Sequence, residues 1–124
     1  MRVEIVCTGD EVLRGKTINT NYINMARRPQ EVGIDVVRGV TVGDDRESLM
    51  EAYALAAARA DAVIVNGGLG PTVDDLSQET AAEAAGVSLV LHQAWLENIE
   101  SFYAARGRVM PPNNRKQAML PEGA

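Results

Sequence analysis

The sequence predicts an α/β fold of three layers, α/β/α, around a mostly parallel sheet. Three observations carry that expectation. Short apolar runs alternate with helix-patterned runs along the whole chain, as they do where helices cover both faces of a parallel sheet. No repeat or linker interrupts the alternation, so residues 1–124 are expected to form one domain. The three predicted strand ends, "TGDE" (8–11), "VGDD" (42–45) and "NGGLGPTVDD" (66–75), are each rich in glycine and carboxylate.

The elements follow in order. Val3 to Cys7 is a short apolar run that "TGDE" stops. Ile18, Tyr22, Met25 (or Ala26) and Val32 have helical spacing. Pro29 falls inside that run and should end the helix near Arg28, because it removes an amide donor and clashes with the preceding turn. Gly33 turns the chain into a strand over Ile34 to Val42. "GDDRESLMEAYALAAARA" is a helix whose apolar stripe is Leu49, Ala52 or Tyr53, Ala56 and Ala60. Asp44 with Glu47 three residues on makes a capping-box pattern, although Asp45 is also a possible cap. Asp61 to Val65 is a buried strand. Leu76 to Ala85 is a helix closed by Gly86, with Asp75 as a possible cap and Gln78 at the matching position. "VSLVLH" is a short extended piece. Ala94 to Arg106 is a helix with Trp95, Ile99 and Phe102 on one face. "GRVMPPNN" breaks it, and "RKQAML" is a possible last short element.

Composition removes several classes of function. The chain has 124 residues, 46% of them hydrophobic, enough for one domain with its own core. The net charge of −5 argues against a nucleic-acid groove, which needs surplus Lys and Arg to displace counterions. Aromatic residues are only 4%, which leaves little for a base-stacking platform. Cys7 is the sole cysteine, so no internal disulfide is possible, and its apolar setting reads as a small core residue. His92 is the sole histidine and cannot alone build a metal cluster; no zinc cluster, haem or flavin is expected. No run is long and apolar enough for a membrane span, and the N-terminal apolar run is too short for a signal peptide. The expectation is a cytoplasmic protein.

In wound parallel sheets, ligands sit outside the carboxyl ends of the strands. "VEIVCTGDEVLRGKT" superficially resembles a phosphate-binding P-loop because Gly15, Lys16 and Thr17 follow a strand. The P-loop needs a glycine five residues before Gly15, and Asp10 stands there. A carboxylate in a phosphate nest would repel its ligand. Six carboxylates remain at the strand ends: Asp10, Glu11, Asp44, Asp45, Asp74 and Asp75. Two carboxylates about 5 Å apart repel by roughly 3 kcal/mol at an effective dielectric of about 20. A helix N-terminus returns only about 0.3–1 kcal/mol to each. If several converge, a divalent cation such as Mg²⁺ would balance them; if they alternate into water, capping accounts for them. Gly67, Gly68, Gly70 and Pro71 are more than a tight turn requires. Backbone amides free of side chains beside a helix N-terminus suit an anion such as a pyrophosphate.

"TGDEVLRGKTINTN", "VGDD" and "GGLGPTVDD", in this order and spacing, resemble the molybdopterin-binding domain of molybdenum-cofactor biosynthesis proteins (MoaB- and MogA-like). They are more similar still to the N-terminal domain of competence/damage-inducible protein A (CinA). "GLGPTVDD" carries Leu69 where the molybdenum branch tends to carry Thr, and "HQAWLENIESFYAARGRVMPPNNRKQAMLPEGA" also looks CinA-like. The resemblance implies a phosphorylated small molecule bound at the strand ends. In the CinA branch it implies a metal-dependent pyrophosphatase acting on ADP-ribose; in the other branch, a pterin phosphate is bound. Functional aspartates of the family map to Asp44 and Asp75. Thr8, Gly9, Asp10 and Glu11 are implied as ligand or metal contacts, with the metal on Asp10, Glu11, Asp44 and Asp75. Gly67, Gly68, Gly70 and Thr72 form the implied phosphate loop, and Asn19 and Asn21 are further ligand contacts. Asp74 or Glu11 could serve as general base. A non-catalytic remnant is a third reading. A homo-oligomer is expected, and the family pattern continues past "MLPEGA", so this chain is expected to be C-terminally truncated relative to it.

Overall fold

The computed structural model describes residues 1–124. Strand β1 (Arg2–Thr8) is the centre of a three-stranded parallel sheet, flanked by β2 (Asp35–Val42) and β3 (Ala62–Asn66). Every residue of β1 after Arg2 is buried. Helices cover both of its faces, and that is why its sequence reads as a run rather than an alternation. The register pairs Val6 with Val40 and Val65, and Ile5 with Gly39 and Ile64, so partners share a face. One irregularity falls between Val3 and Glu4, where β2 inserts Val37.

Helix α3 (Arg46–Arg59) covers one face. Its Leu49, Ala52, Tyr53 and Ala56 pack on Val6, with Val40, Val42, Val63 and Val65 around them. The polar exception on this face is Glu4. It is fully buried, and its carboxylate takes Arg59 Nε at 2.8 Å and a second guanidinium nitrogen at 2.6 Å. Helix α2 (Thr20–Glu31) lies against β1 and β2. Its Tyr22 ring rests directly over Gly39, where an added Cβ would stand 2.2 Å from a ring carbon.

Three features differ from the sequence reading. Helix α2 does not end at Arg28 but runs through Pro29 to Glu31. Pro29 sits in the last turn, and its carbonyl accepts from Val32 and Ile34 to close the helix. A short helix, α1 (Asp10–Leu13), follows "TG" directly. Asp45, not Asp44, caps α3, accepting from Ser48 N–H at 2.8 Å. Asp44 is committed elsewhere, to Thr8 and Asp10, so the next carboxylate takes the helix end.

Helix α4 (Ser77–Ala85) packs on α3, joined by the Arg46–Glu83 ion pair, and ends at Gly86 with φ 68°. Beyond it, β4 (Leu89–Leu91) and β5 (Met119–Pro121) pair antiparallel around α5 (Gln93–Ala104) and a 3₁₀ helix (Pro112–Ala118). On α5, Trp95, Ile99 and Phe102 lie along one groove, as their spacing predicts; the buried residue is Leu96, while Trp95 and Phe102 are 46% and 53% exposed. Cys7 is buried, as expected of a core residue. No helix is long and apolar enough to cross a membrane.

Candidate functional site

The carboxyl ends of β1, β2 and β3 open onto one edge, as parallel pairing requires, and two clusters form there. The first joins β1 to β2. The Thr8 hydroxyl donates to Asp44 Oδ1 at 2.6 Å. Asp10 N–H donates to Asp44 Oδ2 at 3.0 Å, and Asp44 N–H returns the bond to Asp10 Oδ1 at 3.2 Å. Two carboxylates thus sit together because each is held by the other's backbone amide. Gly9 has φ 148°, and the Glu11 carboxylate lies over it. Arg14 approaches Asp10 at 3.5 Å and offsets part of the negative charge.

The second cluster is the glycine loop after β3. Gly67 has φ 100°, and a Cβ there would lie 2.5 Å from the Thr8 carbonyl oxygen. Only glycine lets the loop pass so close to β1. The carbonyls of Gly67 and Gly68 are taken by the hydroxyl and amide of Ser77, at 2.7 and 3.1 Å. The amides of Gly67, Gly68 and Leu69 donate to no protein acceptor. Three donors are therefore left without a protein acceptor in a loop whose carbonyls are held by Ser77, the first residue of α4.

The other end of the loop is closed by Asp75. Its Oδ2 accepts the Thr72 amide at 2.8 Å and the Thr72 hydroxyl at 2.6 Å. Burial pushes the Asp75 carboxyl up, but the bonds from Thr72 and Gly70 and the nearby Lys116 ammonium outweigh it and hold the group below its ordinary value. Lys116 Nζ donates to the Thr72 carbonyl at 2.7 Å, and Gln117 Nε2 to the Leu69 carbonyl at 3.3 Å. The 3₁₀ helix thus grips the loop from outside.

The predicted residues divide accordingly. Thr8, Gly9, Asp10, Glu11 and Asp44 come together, and Gly67 and Gly68 adjoin them through Thr8. Gly70, Thr72 and Asp75 form the loop's clasp. Asp75 does not cap α4: the helix begins at Ser77, Leu76 occupies the cap position with no side-chain bond, and Gln78 turns to the Gln117 carbonyl instead. Asn19 caps α2, accepting from Tyr22 N–H at 3.0 Å. Asn21 and Asp74 are exposed and make no side-chain hydrogen bond. Gly15 to Thr17 form the turn after α1, with Lys16 and Thr17 amides on the Glu11 carbonyl, and not a phosphate nest. Sequence reasoning missed Ser77, Lys116 and Gln117. They carry no motif, and only the fold brings residues 116–117 back onto residues 69–72.

The fit of a divalent cation can be judged from these contacts. No three carboxylate, histidine or cysteine side chains converge to enclose an ion. Asp75, turned back onto its own loop, does not join Asp10 and Asp44 in the expected set. Mg²⁺ commonly needs only one or two carboxylates and takes its remaining oxygens from water and phosphate. The Asp10–Asp44 pair fits that lesser role.

Comparison with known proteins agrees with the architecture. The family sequence model for the probable molybdopterin binding domain matches residues 4–121. Over all 124 residues the chain is 47% identical to a CinA-like protein of Shewanella sp. (strain MR-4) and 48% identical to one of Escherichia coli O9:H4 (strain HS). It spans only 29% and 31% of the length of those relatives. The protein CinA of Thermoplasma acidophilum, whose structure was described as of unknown function, superposes with a TM-score of 0.88 at 31% identity, over 98% of this chain and 71% of that one. The molybdopterin biosynthesis enzyme MoaB of Thermus thermophilus shares the fold, with a TM-score of 0.61 at 20% identity, over 95% of this chain and 70% of that one.

Proposed function

The chain belongs to the probable molybdopterin-binding domain family, and on that premise we propose that its strand-end loops bind the diphosphate of a nucleotide-like small molecule and hydrolyse it, with ADP-ribose as substrate. The observation that carries the reading is the trio of uncommitted amides at Gly67, Gly68 and Leu69, beside the Thr8–Asp10–Asp44 cluster. Backbone amides left without a protein acceptor in a glycine-rich loop favour an anion. The similarity to CinA-like proteins supports this branch of the family.

In this reading the glycine loop positions the diphosphate and Asp75 keeps the loop in shape. Asp10 and Asp44 would hold a divalent cation that arrives with the phosphates. The chemistry such an ion supplies is charge neutralisation on the phosphates and a lowered water pKa. Glu11, exposed beside Asp10, takes the proton of the attacking water; Asp74 is the alternative base. Water adds to one phosphorus, the bridging P–O bond breaks, and two monophosphates leave: AMP and ribose 5-phosphate.

The test is cleavage of ADP-ribose with and without Mg²⁺ or Mn²⁺, on wild type and Asp44→Asn. Cleavage that needs the cation and falls by at least about 10²-fold in the variant is expected, as for loss of a preorganised charge-stabilising group. Absence of cleavage under every cation overturns the hydrolytic reading. A second reading, retention of a pterin phosphate without hydrolysis, is favoured by the family's name alone. Calorimetry with pterin phosphates against ADP-ribose separates the two.

A further inference from the structure

Free amides bind an anion well only when they are aimed at it, and one residue aims two of the three. A trans peptide unit is planar, with its N–H directed opposite to its C=O, and every peptide bond of the chain is trans. The carbonyl of Gly67 therefore fixes the direction of the Gly68 N–H, and the carbonyl of Gly68 fixes that of Leu69. Ser77 takes both carbonyls: its hydroxyl donates to the Gly67 oxygen at 2.7 Å, and its amide donates to the Gly68 oxygen at 3.1 Å. The N–H groups of Gly68 and Leu69 are thereby turned away from Ser77, and neither residue is buried. The Gly67 N–H shares its peptide unit with the Asn66 carbonyl, which Ser77 does not touch.

Ser77 is itself held in place. It is buried, and the Thr80 hydroxyl donates to the carbonyls of Leu76 and Ser77, at 2.6 and 3.3 Å. A serine at a helix start ordinarily accepts an amide of the first turn. The Ser77 hydroxyl makes no such bond and is spent on the loop instead, while the helix start goes without a side-chain cap. On the loop's other side stands Thr8. A Cβ on Gly68 would lie 2.5 Å from Ser77 Oγ and 3.1 Å from Thr8 Cγ2, so Gly68, at φ 64°, is clamped between two side chains. The Thr8 hydroxyl binds Asp44, which keeps the clamped loop in register with the carboxylates.

The geometry points to Ser77 as a positioning residue for the bound anion. It touches no ligand atom and acts through the two peptide units it holds. Its hydroxyl governs the Gly68 amide, its backbone N–H governs the Leu69 amide, and neither governs Gly67. Donors fixed before the charge arrives need no reorganisation when it does, so the effect of Ser77 falls on anion affinity as well as on the fold. The inference rests on the phosphate reading proposed above, and deepens it by assigning each amide its support.

Inorganic pyrophosphate with Mg²⁺ is the probe, and the amide proton shifts of isotope-labelled protein are the readout. In the wild type, saturable shifts at Gly68 and Leu69 are expected. Ser77→Ala removes the hydroxyl and keeps the backbone amide. The Gly68 response should then be lost while the Leu69 response persists. Calorimetry should show pyrophosphate affinity lower by roughly tenfold, as for loss of one hydrogen bond to a charged group. Ser77→Thr keeps a hydroxyl and should restore both the Gly68 response and the affinity. A residue that only stabilised the loop would lower the thermal midpoint of Ser77→Ala without changing its affinity well below that midpoint. That result, or an undiminished Gly68 response, overturns the inference and leaves the phosphate reading standing. A wild-type response confined to Gly67 does the same, even if Ser77→Ala fails to fold. No saturable response anywhere in the loop overturns the phosphate reading, and this inference with it.

Discussion

A single oxygen of Asp75 accepts both the amide and the hydroxyl of Thr72. At "GPTVDD" the last carboxylate therefore shapes the turn that precedes α4, and the helix start is left without a side-chain cap. From sequence, a cap and a metal ligand were the two readings available for Asp75; a clasp on its own loop was legible to neither. The reason is that the choice depends on Lys116 and Gln117, which reach the loop only after the chain has passed through α4, β4 and α5. Replacing Asp75 by Ala removes two bonds to a charged acceptor, and a loss of about 1–3 kcal/mol in unfolding free energy is expected. The sharper measure is amide hydrogen exchange. Exchange at Gly70 and Thr72 should accelerate in the variant while exchange in β1 changes only with global stability. Unchanged loop exchange would mean that Lys116 and Gln117 hold the loop without Asp75.

At the scale of elements, spacing located all three sheet strands and the main helices, because burial on two faces leaves a run of apolar residues and burial on one leaves a stripe. Boundaries moved where a side chain had a better partner than the local pattern allowed. Asp44 left the cap of α3 to Asp45 for this reason. Pro29 shows the opposite case: local preference would end α2 at Arg28, yet packing against β1 and β2 carries the helix to Glu31. The missing N–H and the ring's steric conflict remain a standing cost. Pro29→Ala should therefore raise unfolding free energy by about 1–2 kcal/mol, less than the full helix-interior penalty because proline also restricts the unfolded chain. Gly39→Ala should act in the other direction. Its new methyl meets the Tyr22 ring, and a loss of about 1–3 kcal/mol is expected from overpacking. Urea denaturation of both variants checks the pair, and an unaffected Gly39→Ala would mean that Tyr22 moves freely off the strand.

For the whole molecule, the site clusters were legible as loops but not as contacts, since sequence places "TGDE", "VGDD" and "NGGLGPTVDD" on one sheet edge without saying which carboxylates face one another. The same convergence sets how the fold responds to acid. Four carboxylates are held below their ordinary values: Glu4 by the Arg59 hydrogen bonds, Asp45 by the Ser48 amide, Asp61 by the Arg2 amide, and Asp75 by Thr72 against the upward push of burial. A carboxylate whose folded pKa is depressed contributes stability that is fully present above its unfolded value, about 4, and is lost as pH falls through the folded one. Stability should thus be nearly flat from pH 7 to about pH 5 and fall below about pH 4. Glu4 is the group to isolate, because it alone of the four is wholly shut from solvent, with Arg59 as its hydrogen-bonding partner and Arg38 acting on it only through its charge. Arg59→Met leaves that carboxylate buried and unpaired, and should lower unfolding free energy by about 3 kcal/mol at pH 7. Without the guanidinium, burial raises the Glu4 pKa, so the variant regains stability relative to wild type as acid neutralises the group. Urea midpoints measured from pH 7 to pH 3 should therefore converge. A gap that stays constant across that range would show that Arg59 acts through its packing and not through its charge.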